Sequence, residues 1–295
     1  MLNEIVMVLF NTLIYAIILA LISIGLCIIL GVLKILNIAH GVFFALGAYS
    51  SITFVKLFLS IGLPIYMIYM ALVLGGLFAG AIVSILIEPT LLRRIYERAE
   101  IYQLLVTFAL MLIIEDLIKF IWGPQSLIIT EPYIYLGKFY LGPLSYPTYY
   151  LFLIFVGSII LILTYVFLNH TRLGKIIYAT AFDKEISMAL GVNIKNTYTY
   201  TFLLGTMLTA LGGALISPLL SLQPGFSSEY IVIAFVIIVI GGLGNIKGAF
   251  FSSIIIALVR SIAVMIFPEL ELAIPFIIMA LVLIFKPEGI FGGSR

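Results

Sequence analysis

Arg260 stands about midway between Gly248 and Pro268, in a run of residues that is otherwise apolar or small. A guanidinium in such surroundings costs several kcal/mol unless an anion meets it. Two kinds of chemistry answer that need. One is a structural ion pair, for which Glu115 and Asp116 in another apolar run are the acidic candidates, with Lys119 one turn from both and placed to neutralise one of them. The other is a contact from Arg260 to the carboxylate of a bound ligand. Other reactive groupings are sparse. Cys27 is the single cysteine, and His40 and His170 are far apart, which excludes a disulfide framework and argues against a Cys/His zinc site. Gly241 to Gly248 is glycine-rich but lacks the Lys-Ser/Thr ending of a phosphate-binding loop. No Ser/His/Asp set, paired catalytic carboxylates or metal-spaced ligands occur, so the chain carries no enzyme signature and calls for no cofactor.

The elements that must position these residues are set by composition. Of 295 residues, 64% are hydrophobic and only 9% charged, and the mean hydropathy is +1.30. Such a chain has too little polar surface for a soluble domain. A formal charge of +2 is too small to suggest nucleic acid. About 20 apolar residues cross the roughly 30 Å of hydrocarbon in a bilayer, so the expected fold is all-α, a polytopic transmembrane helix bundle of about eight to ten spans forming a single domain over residues 1–295. Apolar stretches begin at Ile5, Val42, Ile65, Ile101, Thr148, Thr197, Tyr230, Ala249 and Leu272, which makes nine crossings. The first lacks the basic start and cleavage site of a signal peptide and is kept in the mature protein. The seventh is short and reaches full length only if Gly241 to Gly248 extends it. Irregular backbone at that depth is tolerated where it lines a cavity or is buried in protein; packing or an ordinary turn are the other readings for Gly241, Gly242 and Gly244. Gln103 and Thr107, one turn apart in the fourth span, either bond across helices or line a path.

One long polar stretch interrupts this pattern, residues 171–196. Read as a helix from about Lys175 to Leu190, it places Ile176, Ala179, Phe182, Ile186, Ala189 and Leu190 along one broad face. Ile177, Ala181 and Met188 lie on another, with Thr180, Lys184 and Ser187 in a polar sector between. A helix apolar on two sides suits being clasped between its own membrane domain and a groove of a soluble partner. Gly191 is suited to end it in the left-handed conformation. Nine crossings put Lys34, Arg93, Arg94, Arg98, Arg172, Lys175, Lys184, Lys195, Lys247, Lys286 and Arg295 on one side, 11 of the 15 basic residues. The positive-inside bias makes that side cytoplasmic, with the N-terminus outside, the C-terminus cytoplasmic and the chain in the plasma membrane, in contact with lipid. The tyrosine-rich connection from Gly123 to Pro147 then lies outside.

Four stretches carry a resemblance to a known family. Ala179, Thr180, Ala181, Asp183, Glu185 and Gly191 match the pattern of a coupling loop. Leu36-Asn37-Ile38-Ala39-His40-Gly41, Gly241 to Gly248 and Phe285 to Gly292 match in the expected order. In these the chain resembles the permeases of ABC importers, specifically the LivH type of branched-chain amino acid permease, within the inner membrane components of binding-protein-dependent transport systems. The resemblance implies alternating access driven by two cytoplasmic ABC ATPase subunits, a second related (LivM-like) permease subunit, and an extracytoplasmic binding protein that docks on the external connection. It gives Asp183, Lys184 and Glu185 contacts with the ATPase, and Asn37, His40 and Gly41 a place in the pathway or gate; polar hairpin residues are the other reading for these three. Relatives with similar motifs carry urea and short amides, which leaves that cargo as an alternative. A secondary transporter needing no ATPase is a further one. Asn245 to Phe251 also echoes Asn37 to Phe44, either a trace of duplication or chance.

Overall fold

The computed structural model describes residues 2–141 and 144–292. Arg295 of the basic set above and Pro143 of the external connection lie outside the described residues. In chain order the elements are α1 (Leu2–Leu33), α2 (His40–Ser60), α3 (Ile68–Thr90), α4 (Glu100–Trp122), α5 (Glu131–Tyr135), the strands β1 (Lys138–Leu141) and β2 (Leu144–Pro147), α6 (Tyr149–His170), α7 (Arg172–Phe182), α8 (Lys184–Ala189), α9 (Ile194–Ile216), α10 (Ser227–Gly241), α11 (Ile246–Ile266) and α12 (Ala273–Phe285). Six helices are long and apolar enough to cross a bilayer: α1, α2, α3, α6, α9 and α11. α4 matches them in length, with 23 residues, but carries Glu115, Asp116 and Lys119 toward its end. α10 and α12 are shorter, at 15 and 13 residues. At 1.5 Å per residue α10 reaches only about 22 Å. Its short reach is tolerable because it is mostly buried against α1, α2, α11 and α12, and its ends therefore meet protein.

α9 is the centre of the bundle, packed on α1, α2 and α3, while α11 packs along α1. Lipid tails are as apolar as the side chains, so helix association here depends on close packing, and small residues permit it. A Cβ added to Gly47 would collide with the Ala210 carbonyl, and one added to Gly213 with the Phe44 carbonyl, so α2 and α9 touch backbone to backbone. Gly75 and Gly80 give α3 the same approach to Ser51 and Met207.

The connections gather at two ends. At one, Asn245 Nδ2 donates to the Phe291 carbonyl at 2.7 Å, and Thr107 Oγ1 lies 3.4 Å from both the Leu36 carbonyl and the Ile38 amide. This end is basic: Lys34 lies beside Gln103 and Gly244, Lys247 follows Asn245, and Arg93, Arg94, Lys184 and Lys195 line one groove. At the other, Leu127 and Leu222 exchange backbone hydrogen bonds of 2.9 Å, and the Tyr69 hydroxyl donates to the Pro132 carbonyl at 3.0 Å. The tyrosine-rich connection at this second end contains α5 and the antiparallel β1–β2 hairpin. Its aromatic residues close over α1, with Phe10 at 4.9 Å from Tyr146 and 5.8 Å from Phe139.

Because the α2–α9 contact has no slack, Gly47→Val and Gly213→Val should each destabilise the detergent-solubilised protein by at least about 1–3 kcal/mol. Ile85→Val, at a site 64% exposed, should change the melting temperature little. Thermal unfolding of the three variants checks this.

Candidate functional site

The basic end carries the polar stretch, and the structure corrects the single helix expected from Lys175 to Leu190. The helix stops at Phe182, Asp183 turns extended (φ −149, ψ 110), and a second helix starts at Lys184. Asp183 is the reason. Its carboxylate accepts from the Ile186 amide at 2.9 Å and so caps α8, just as Thr171 caps α7 through the Gly174 amide at 3.0 Å. An aspartate before an apolar run was the signal in the sequence. Gly191 takes φ +85 just past α8, as its position suggested.

The faces are also redistributed. Thr180 and Ser187, expected in a polar sector between two apolar faces, are buried and bond back to the Ile176 and Asp183 carbonyls at 2.9 and 2.7 Å, so their hydroxyls are satisfied within the segment. Ile177 is buried with them, and Ile176 half-buried. Facing solvent are Ala179, Phe182, Lys184, Glu185, Ile186, Met188, Ala189 and Leu190; Phe182 is 94% and Leu190 80% exposed. One side of α7–α8 therefore seats on α1, α6 and α9, and the other leaves large apolar side chains uncovered by the chain. Contiguous exposed apolar surface of this kind marks an interaction site.

Next to this segment is a cluster that sequence reasoning missed. Glu88, near the end of α3, has a fully buried side chain. Arg93 grips it with Nη2 at 2.8 Å and Nε at 3.2 Å, the Tyr96 hydroxyl donates at 3.1 Å, and the Thr199 hydroxyl donates at 2.8 Å. Burial, and next the Glu88 charge, hold the Tyr96 phenol well above its usual range, so it stays a donor. Arg93 five residues from Glu88 was a legible hint; Thr199, 111 residues away, was not.

The pathway candidates divide. Asn37 is 1% exposed and both polar atoms of its amide lack partners. His40 is fully buried, with Nε2 at 3.2 Å from the Ile22 carbonyl and 2.5 Å from Thr209 Oγ1, and with Nδ1 unpartnered. Gly41 lies against Ile231 and the Ser227 carbonyl of α10. Gln103 donates to the Ile95, Tyr96 and Arg98 carbonyls at 3.0–3.3 Å and so closes the turn before α4, while Thr107 meets the loop of Leu36 and Ile38. Gln103 and Gly244 share a cavity of about 310 Å³ with Gly31, Lys34, Leu36 and Glu100. Gly241 presses on Gly248, and Gly242 (φ +91) is covered by Gly292, so these two line a turn packed under the tail. The Asn37 and Asn245 echoes differ in use: Asn245 caps α11 through the Gly248 amide at 3.0 Å, and Asn37 caps nothing.

Arg260 is corrected as well. Its partners are Glu229 at the start of α10, 2.9 Å from Nη2, and Glu271 before α12, 2.7 Å from Nη2 and 2.8 Å from Nε. The Tyr15 ring lies beneath it at 4.8 Å. Glu115 and Asp116 are elsewhere: Asp116 pairs with Lys119 at 2.9 Å, and Glu115 keeps a buried oxygen without a partner. The guanidinium extends toward the second end and reaches one acid in the first turn of α10 and one in the link before α12, which the expectation of Glu115 and Asp116 overlooked.

A bundle with six helices long and apolar enough to cross a bilayer has the architecture of a multi-pass membrane protein. Residues 8–283 match the family described as branched-chain amino acid transport system / permease component, and the chain belongs to that family. It is 22% identical over 289 residues to the high-affinity branched-chain amino acid transport system permease protein LivH of Salmonella typhimurium, an alignment covering 92% of this chain and 91% of the relative. It is 25% identical to BraD of Pseudomonas aeruginosa, over 92% of this chain and 91% of BraD. The probable LivH of Methanocaldococcus jannaschii is 25% identical, over 97% of this chain and 92% of the relative. No solved structure matches the chain.

Removing one member of a charge cluster leaves the others unneutralised. Arg260→Leu should cost about 1–2 kcal/mol of stability, since the two carboxylates it leaves are partly exposed, and adding Glu229→Gln and Glu271→Gln should recover most of the loss. Unfolding of the single and triple variants in detergent measures both.

Proposed function

We propose that this chain is the permease subunit of an ATP-driven importer that moves branched-chain amino acids across the plasma membrane by alternating access. The observation that carries the reading is α7–α8, a capped helical pair with one side seated on the bundle and the other apolar and exposed. In a chain of transport permeases, such a face suits a soluble motor. Phe182, Ile186, Ala189 and Leu190 seat in an ATPase groove with Ala179 and Ile176 beside them, Asp183, Lys184 and Glu185 contact its rim, and Gly191 ends the segment.

The rest of the assembly follows from this reading. The basic end faces the cytoplasm, which places α1's start outside and the tail after α12 inside. Two ATPase subunits bind below, a second related permease of the LivM kind completes the membrane domain, and a binding protein docks over the β1–β2 hairpin. The names of the relatives LivH and BraD support branched-chain amino acids as cargo. Asn37, His40 and Gly41 lie on the closed pathway. The unpartnered polar atoms of Asn37 and His40 support that role, since polar groups left without partners in an apolar interior are costly and mark functional positions. The cavity lined by Gln103 and Gly244 is its inner mouth.

Asp183→Arg removes the α8 cap and reverses a charge on the motor-facing segment, and Gly191→Pro forces the φ +85 position into a conformation proline cannot adopt. Both variants should insert into the membrane normally and lose ATP-driven leucine uptake by at least about tenfold. Uptake assays in vesicles, with membrane insertion scored by immunoblot, check the two expectations together.

A further inference from the structure

Glu88 belongs neither to the exposed face of α7–α8 nor to the pathway set, yet its buried carboxylate accepts four side-chain hydrogen bonds. Its donors come from separate segments: Arg93 and Tyr96 from the stretch between α3 and α4, and Thr199 from the second turn of α9. Arg93 Nη2 also donates to Thr199 Oγ1 at 2.8 Å, so the three segments are cross-linked in a closed ring. Beside Thr199, Tyr198 meets Tyr96 edge to face at 5.1 Å. Lys184, the first residue of α8, rests over the Tyr198 ring at 5.9 Å.

Contacts thus run from α8 through Tyr198 and Tyr96 to Glu88 on α3. Between α8 and this corner lies an open groove of about 620 Å³ lined by Arg93, Tyr96, Lys184, Met188, Lys195 and Tyr198 among others. Across it α8 meets the corner through the tips of side chains. Well-packed apolar residues would hold the helices together at least as well as a buried ion pair. What the polar ring supplies in addition is directionality: losing Arg93 would leave the buried carboxylate's charge uncompensated, and losing Tyr96 or Thr199 would leave a buried acceptor unmet, so the ring ties α3, the 92–98 turn and the start of α9 together.

We infer that Glu88 is a positioning residue through which displacement of α8 is passed to α3, with Tyr96 and Thr199 as the links that join it to α9. The inference rests on the reading that α7–α8 seats on an ATPase. Its loss disconnects ATP hydrolysis from solute movement and leaves the assembly intact.

The test is the complete transporter in liposomes, with both permease subunits, the ATPases and the binding protein, in which ATP hydrolysed and radiolabelled leucine taken up are measured together. Wild type, Glu88→Gln and the milder Tyr96→Phe and Thr199→Val are compared. The expected result is a fall in leucine moved per ATP of tenfold or more for Glu88→Gln and a few-fold for the other two, with hydrolysis and the melting temperature of the assembly kept near wild type. An unchanged ratio in all three variants overturns the role of Glu88. So does a loss of uptake and hydrolysis in proportion to lost assembly in all three. If the wild-type assembly itself shows no ATP-driven uptake, the reading of the permease falls first, and the inference with it.

Discussion

In an apolar medium every polar group has to find its partner inside the protein, and that constraint sorts this structure. Where partners are found, the bundle is tied: Arg260 joins α11 to the start of α10 and to the link before α12 at one end, and Glu88 joins three segments at the other. Hydroxyls on the central helix α9 follow the same rule locally, with Thr201, Thr206 and Thr209 each bonded to a carbonyl one turn back. Where partners are missing, at both amide atoms of Asn37, at His40 Nδ1 and at Glu115 Oε1 among others, burial of the polar atom is costly.

Close packing is the complement of that rule. The polar ties sit toward the two ends, and the middle of the bundle is held by backbone contact at Gly25, Gly47, Gly205 and Gly213. The result is a centre of small residues with little freedom to deform, capped at each end by charges with specific partners. Such a body favours whole-helix displacement over local bending.

Much of this was legible in the sequence because its signals are long or local. Apolar stretches of about 20 residues announce spans, glycines inside them announce close approach, and Gly191 after a polar helix announces its end. The break at Asp183 was written in the sequence as an N-cap, but the apolar spacing of Ile176 to Leu190 runs continuously across it and hides the stop. Arg260 shows a different limit. That it needs an anion follows from its position, whereas the choice of Glu229 and Glu271 depends on which way a long side chain extends. The Glu88 ring was the least legible, since Thr199 is brought to it only when α9 packs on α3. The glycine run at Gly241 was open to cavity lining, packing or a turn because its composition fits each, and its residues divide: the tail covers Gly242, while Gly244 borders a cavity.

That folded tail orders events during synthesis. The Ile290 amide donates to the Ile240 carbonyl at 2.7 Å, and Asn245 holds the Phe291 carbonyl. The corner between α10 and α11 therefore emerges from the ribosome some 45 residues before the strip that latches over it, and until α11 and α12 have been threaded its carbonyls depend on water. Closure of this end is thus a late step, possible only once α11, α12 and the strip after them have been made.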